Sequence, residues 1–292
     1  MMISPRSVAA LTLLVLVTGG CRVFIDGSQP LGKSPLRPAD PSPDSVRMEI
    51  IWSRFAADDP DLNETAWREI DETQIAPAVR SELARHGFRA GVIGSTVPDA
   101  IARALRSGES PDGEQPAPDN RDASTLMAEP VVHGRTQQLR RNQRSEIQAS
   151  DIHPSLPLLL GAGKELGGRT FHDAQAIYAL RVDPQPDQTV LVELTPELHH
   201  GQAHLRFTRD DDNMGILRQA PMRQREVFSQ LRMSVRLAPG EMLVLMGLSG
   251  AGSRLGHYFH TVDSTDGPQQ KLILIRLAEV PRSDLFAATD DF

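Results

Sequence analysis

Three stretches in the last third of the chain constrain the fold most, because their apolar residues follow the repeat of a β-strand. Between Gln230 and Ala238 every second residue is apolar, which predicts a strand with one buried face. The buried residues would be Leu231, Met233, Val235 and Leu237. Met242–Met246 is apolar throughout and Lys271–Leu277 nearly so, as is typical of strands buried on both faces. We therefore expect a mainly antiparallel β domain over residues 125–281, with one helix over Arg169–Leu180.

A different pattern over residues 46–108 predicts a small α/β module of the order β-α-β-α. Its first strand would place Met48, Ile50 and Trp52 on one face, and Phe88–Gly94 would form the second. The first helix is marked by apolar residues at helical spacing, namely Ile75, Val79 and Leu83. Pro98 begins a second helix, with Ile101 and Leu105 facing inward.

The expected fold class is therefore α+β, with the α/β module followed by the β domain. Residues 109–124 are interpreted as a linker, because Glu109–Asp122 contain no apolar residue larger than alanine or proline. Residues 282–292 form a polar tail.

The N-terminus has the pattern of an export signal over residues 1–20. Val8–Val17 form an apolar segment after a basic start, too short to span a bilayer permanently. The small residues Thr18, Gly19 and Gly20 then precede Cys21, and together they resemble the bacterial lipobox, which implies lipidation at Cys21. An ordinary secretory signal cut near Gly20 is the alternative. Residues 21–45 would then be a lipidated N-terminus and a proline-rich tether.

Composition excludes several classes of function. The net charge is −7 and only 4% of residues are aromatic, which argues against a nucleic-acid partner and against a stacking platform for bases. Cys21 is the single cysteine, so no disulfide can form within the chain.

Each motif that suggests chemistry is incomplete. Gly247–Ser253 lacks the lysine of a phosphate-binding loop and is interpreted as a turn between two strands. His199, His200 and His204 could share a metal only if Gly201 turned the strand back on itself. Asp210–Asn213 begin like a calcium loop, but Met214 and Pro221 stand where oxygen ligands belong, so we expect a charged hairpin tip.

Two charged clusters also have simpler interpretations. Arg140, Arg141 and Arg144 could contact lipid headgroups, although a solvated face is the simpler explanation. Glu69, Asp71 and Glu72 lie beside Trp67 without a recognisable cleft. We expect no catalytic residue, cofactor or metal, and so no enzyme.

The stretch from Val190 to Val280 resembles the C-terminal part of the bacterial outer-membrane secretins, the ring proteins of secretion and pilus systems. Leu191–Gly201 is similar to the family's strand that ends in Thr-Pro, and Arg225–Leu248 is similar to its two strands joined at a Gly-Glu turn. Leu255–Phe259 resembles its Leu-Gly-x-Leu-Phe element, and Lys271–Pro281 its final strand. The sequence shows no pair of long alternating hairpins that would face lipid.

The resemblance implies a protein that builds assemblies. With the export signal, it predicts a lipid-anchored cell-envelope protein, at the outer membrane and facing the periplasm. Its partners would be the membrane, through the anchor, and copies of itself or other envelope proteins. The alternative is a monomeric envelope lipoprotein that binds a ligand or peptide through its β domain. A third class, an exported hydrolase, lacks any recognisable nucleophile, base or metal set.

Overall fold

Residues 45–106, 132–162, 165–209, 217–250, 252–264 and 267–280 are described by the structure, a computed structural model. Contacts divide the chain into residues 1–40 and residues 41–292, and every described residue belongs to the second unit. The described strands are β1 (Ser45–Ala56), β2 (Phe88–Ile93), β3 (Val132–Arg140), β4 (Ser145–Ala162), β5 (Glu165–Pro184), β6 (Val190–Arg209), β7 (Leu217–Val227), β8 (Met233–Leu237), β9 (Met242–Gly247), β10 (Thr261–Ser264) and β11 (Gly267–Glu279). The described helices are α1 (Pro77–Arg85), α2 (Asp99–Arg106) and α3 (Leu255–His260). Short helical turns occupy Asp61–Thr65, Ala66–Arg68, Glu72–Gln74 and Ser229–Leu231.

The strands form two antiparallel sheets. The first sheet has the order β2-β9-β11-β1-β3, and β10 also pairs with β11. The second sheet has the order β4-β5-β6-β7, and β8 pairs with the first part of β6, over Val190–Leu194. The first sheet therefore combines the earliest and the latest strands of the unit.

The first sheet lies in the middle of three layers. One of its faces packs on the second sheet, with Met48, Ile50 and Ile273 in the shared core. Its other face is covered by α2 and by the turns between Asp61 and Gln74, and this second core includes Val244 and Leu274. This position confirms that Met242–Met246 is buried on both faces, since all of β9 is buried.

The predicted α+β fold with a separate β-α-β-α module is wrong, because the protein is mainly antiparallel β. The individual helices and strands of residues 46–106 do form: α1 begins at Pro77, and Gly87 follows it with a φ of +85°. However, β1 lies between β11 and β3, while β2 pairs with β9. The two strands never pair with each other. Local periodicity predicts that a segment is a strand, whereas its partner depends on which distant strand completes the buried layer.

The helix predicted over Arg169–Leu180 is also wrong, because this segment belongs to β5. Its alanines favour a helix intrinsically. In the structure Ala174, Ala176, Tyr178 and Leu180 are completely buried, which is the repeat of a strand with one core face. Pairing with β4 on one side and β6 on the other therefore outweighs the local preference.

Three strands of the second sheet are longer than the sequence pattern predicts, since for them it indicates only the alternating stretches Thr189–Leu198 and His204–Thr208, which overlap β6. β4 has 18 residues, and β5 and β6 have 20 each. β5 pairs with β6 only from Gln175–His199 to Pro184–Val190. Beyond Gln175 and His199, β5 continues with β4 alone and β6 with β7 alone, so the sheet divides into two hairpins.

Candidate functional site

The predicted lipidation site, Cys21, lies outside the described residues, as do the signal, the tether, the linker and the polar tail. The same holds for Asp210–Asn213, the possible calcium loop. Lipid attachment therefore stays a prediction from the sequence.

The three histidines of β6 do not converge on a metal. His199 contacts Glu197 at 3.0 Å, whereas the ring of His200 packs against Phe171, with 4.9 Å between ring centroids. A register shift separates His200 from His204, and Gly201 there has a φ of +74°. Within the described ranges, no group of three or more histidine, cysteine, aspartate or glutamate residues could hold a metal ion.

The glycine-rich segment after β9 leads into a helix, so the prediction of a turn between two strands is wrong. α3 follows directly, and its Gly256 lies against the backbone of Gly87 and Phe88. A Cβ atom at position 256 would overlap the Gly87 carbonyl. The glycine of the Leu-Gly-His-Tyr-Phe element therefore allows α3 to approach the start of β2 closely.

A buried tyrosine–histidine pair, which the sequence did not reveal, lies between the two sheets. The Tyr178 hydroxyl is 2.7 Å from Nε2 of His260, and Nδ1 of His260 is 2.8 Å from the Lys271 carbonyl oxygen. Since a carbonyl only accepts, Nδ1 donates to it, and Nε2 accepts a hydrogen bond from the tyrosine hydroxyl. Burial lowers the pKa of His260 to about 3 and raises the pKa of Tyr178 well above its usual value. Both side chains are fully buried, so the pair is a neutral structural bond.

Arg141 and Arg144, in the 140–144 cluster, form ion pairs with the protein's own carboxylates. Arg141 is 3.1 Å from Asp183, and Arg144 is 2.7 Å from the buried Glu197 and also pairs with Glu146. Burial by itself would raise the pKa of Glu197, but the hydrogen bond with His199 and the charge of Arg144 outweigh it, so that pKa is lowered. These contacts favour a structural role.

The acidic residues near Trp67 are also engaged in local contacts. Asp71 accepts hydrogen bonds from the backbone and the hydroxyl of Thr73, which lowers the pKa of Asp71. Glu72 is 2.5 Å from Arg89, whose guanidinium lies 4.2 Å from the centre of the Trp67 ring. Glu72 lines a cavity of about 380 Å³, and the described residues that line it include no second carboxylate.

The second sheet, with its two hairpins, carries the exposed large apolar side chains of the described residues. Large apolar side chains there are unusually exposed: Leu159 at 46%, Leu205 at 68% and Val227 at 47%. Arg169 of β5 and Glu226 of β7 form an ion pair of 2.9 Å, so the hairpins still contact each other beyond the point where their pairing ends. An exposed apolar surface beside a strand edge that has no partner is typical of a protein-interaction site.

The two strands that end the second sheet differ in how their backbones are covered. The Gln148 and Ala149 carbonyls of β4 accept hydrogen bonds from Trp52 at 3.0 Å and Lys271 at 2.7 Å. Further along β4, the Pro157 carbonyl accepts from Tyr258 at 2.6 Å, and the Leu159 amide donates to the Ser253 carbonyl at 3.2 Å. The described residues supply no comparable bond to the backbone of β7. The β7 edge is therefore the more accessible of the two.

No family model matches the chain, and no curated protein is significantly similar to it. None of the described helices is long and apolar enough to cross a membrane.

Proposed function

We propose that the protein is a non-enzymatic, lipid-anchored component of the bacterial cell envelope that associates with copies of itself or with other envelope proteins. The sequence supports the anchor through the signal pattern and Cys21. The resemblance to the secretins supports an assembly-forming β region. That region contributes strands to both sheets, from β6 to β11.

The observation that carries the proposal is the open β7 edge beside exposed apolar side chains. β7 has a partner, β6, on one side only, and Val227 at its end is 47% exposed. An edge strand presents backbone donors and acceptors to any strand of matching length. β4, at the opposite end, is covered by bonds from other parts of the chain, so two copies that associate through their open edges would pair β7 with β7, an isologous contact.

Particle mass in mild detergent tests this proposal. The chain has a mass of 32.0 kDa, and the extracted protein is expected to migrate well above this value after the micelle is subtracted. Val227→Lys should reduce the particle mass without lowering the melting temperature, because an exposed lysine blocks edge pairing. Ser234→Lys, on the exposed face of β8, is the matched control.

A clean monomer at micromolar concentration, without a co-purifying partner, would contradict the proposal and favour the monomeric binding protein. An unchanged particle mass in the Val227→Lys variant would exclude β7 as the contact. Hydrolysis of generic ester, glycoside or peptide substrates by the purified protein would contradict the non-enzymatic assignment.

A further inference from the structure

A basic cavity opens between the two sheets, on the side of the β4 edge. Its volume is about 280 Å³. The residues that line it are Trp52, Arg54, His133, Arg135, Gln148, Ala149, Ser150, Asp151 and Lys271. Ligand sites in proteins start at roughly 300 Å³, so the cavity would hold a small molecule rather than a chain segment.

Strand register brings the basic residues to this place. Trp52 of β1 pairs with His133 of β3, and Arg54 of β1 pairs with Lys271 of β11. Arg135 lies two residues from His133 and therefore on the same face of the first sheet. This face is apolar further along β1, where it packs on the second sheet. Its character changes from apolar to basic where the space between the sheets opens.

The walls of the cavity are well defined. On one side the rings of Trp52 and His133 stack, with centroids 4.7 Å apart and planes within 8° of each other. On the other side β4 bulges between Gln148 and Ile152. Hydrogen bonds from Trp52 and Lys271 hold this bulge, and Ser150 Oγ accepts a further bond from the Ala176 amide at 3.0 Å. The bulge is therefore fixed in place by the protein itself.

The lining is strongly biased toward positive charge. It contains two arginines, one lysine and one histidine, whereas Asp151 is the one acidic lining residue. Arg135 forms no ion pair with any carboxylate in the described part of the chain. A guanidinium binds an oxyanion through two parallel N–H bonds, and a nearby ammonium adds a compact second charge.

We propose that this cavity binds a phosphate-class anion carried by a small organic group. Arg135 and Lys271 bind the phosphate oxygens, and the stacked Trp52 and His133 contact the organic group. A carboxylate needs only one arginine to neutralise it, through two parallel hydrogen bonds. Several cations around one cavity therefore suit a doubly charged phosphate better. This inference does not depend on the proposed assembly.

Tryptophan fluorescence provides a direct test, because the chain has two tryptophans, Trp52 and Trp67. Trp67 packs in the core on the other face of the first sheet, so Trp67→Phe leaves Trp52 as the single reporter. Phenyl phosphate should quench Trp52 fluorescence saturably, and uncharged phenol should not. Calorimetry with the unsubstituted chain should give the same dissociation constant.

The variants are designed to separate the cavity from general surface charge. Arg135→Gln should weaken phenyl phosphate binding about tenfold or more, as expected for the loss of a charge-assisted contact. Arg232→Gln removes an exposed arginine of the same charge elsewhere and should leave binding unchanged. Equal weakening by both variants, or no effect of Arg135→Gln, would overturn the proposal.

The source of the phosphate can be a soluble molecule or a lipid headgroup, and vesicles distinguish the two. The full chain with Cys21→Ser is mixed with phosphatidylcholine vesicles that contain or lack phosphatidic acid. If the protein binds the vesicles only when they contain phosphatidic acid, and only with Arg135 present, the site binds a lipid headgroup. If the protein binds phenyl phosphate but not the vesicles, the site binds a soluble phosphate. If neither probe binds, the proposal is wrong.

Discussion

Replacing Val235 with aspartate tests the register of β8 and the position of the core. Val235 is 1% exposed and pairs with Val192 of β6, inside the core that the two sheets share. Removing its buried apolar surface costs about 1.5–3 kcal/mol. An unpaired carboxyl group in that apolar surrounding adds several kcal/mol. The sum, about 4–6 kcal/mol, is a large part of the roughly 5–15 kcal/mol that stabilises a typical protein.

The neighbouring residue provides the control. Ser234 is exposed and lies opposite Glu193, so Ser234→Asp should cost only about 0.2–1 kcal/mol, from repulsion between like charges. Ser234→Lys places a positive charge opposite Glu193 and should therefore raise the free energy of unfolding by a similarly small amount. Chemical denaturation at pH 7 measures the free energy of unfolding of each variant.

The pH dependence distinguishes a buried carboxyl from a merely disruptive side chain. In the Val235→Asp variant, burial raises the pKa of the introduced carboxyl group in the folded state above its unfolded value of about 3.9. The destabilisation caused by Val235→Asp should therefore be smaller at pH 4 than at pH 7, because the unfolded state gains little from ionisation at low pH. Equal loss of stability in the Val235→Asp and Ser234→Asp variants would refute the assigned register.

Three further changes have defined outcomes. Cys21→Ser should abolish both metabolic labelling by a fatty acid and membrane retention, and a labelled variant would contradict lipidation at this residue. Burial lowers the pKa of His260 to about 3, so the unfolded state binds a proton at a higher pH than the folded state does. Stability should therefore fall as the pH drops from about 6.5 to about 3, with a slope of up to about 1.4 kcal/mol per pH unit between these values. The His260→Asn variant should lack this contribution. Gly256→Ala should destabilise by about 1–3 kcal/mol or more through overlap with the Gly87 carbonyl. Gly168→Ala, where a Cβ meets open space, should be nearly neutral, and chemical denaturation measures both glycine variants.

The sequence predicts those parts of the fold in which local pattern and burial agree. The alternating residues from Met233 to Leu237 form β8, with every second residue buried, as expected. Pro77 and Gly87 mark the limits of α1 because one fits the first helical turn and the other adopts a positive φ after it. In both cases the residues that predict the element lie close together in the sequence.

Strand partners and the cavity are not predictable in this way. β1 pairs with β11, more than 200 positions away, and no local pattern specifies that choice. The basic cavity joins residues from β1, β3, β4 and β11, which share no motif and no spacing. Only the register of three paired strands brings Trp52, His133 and Lys271 to one face.

The pairing of β1 with β11 has a consequence for the order of folding. β1 is the first described strand and β11 the last, yet they lie side by side in the middle of the first sheet. Until β11 has been synthesised, β1 lacks this neighbour, and the central layer that both cores need is incomplete. Such long-range closure slows folding. If the predicted export signal acts while the chain is being made, the first sheet stays incomplete, and the chain stays able to pass a translocation channel, until its final strand is available.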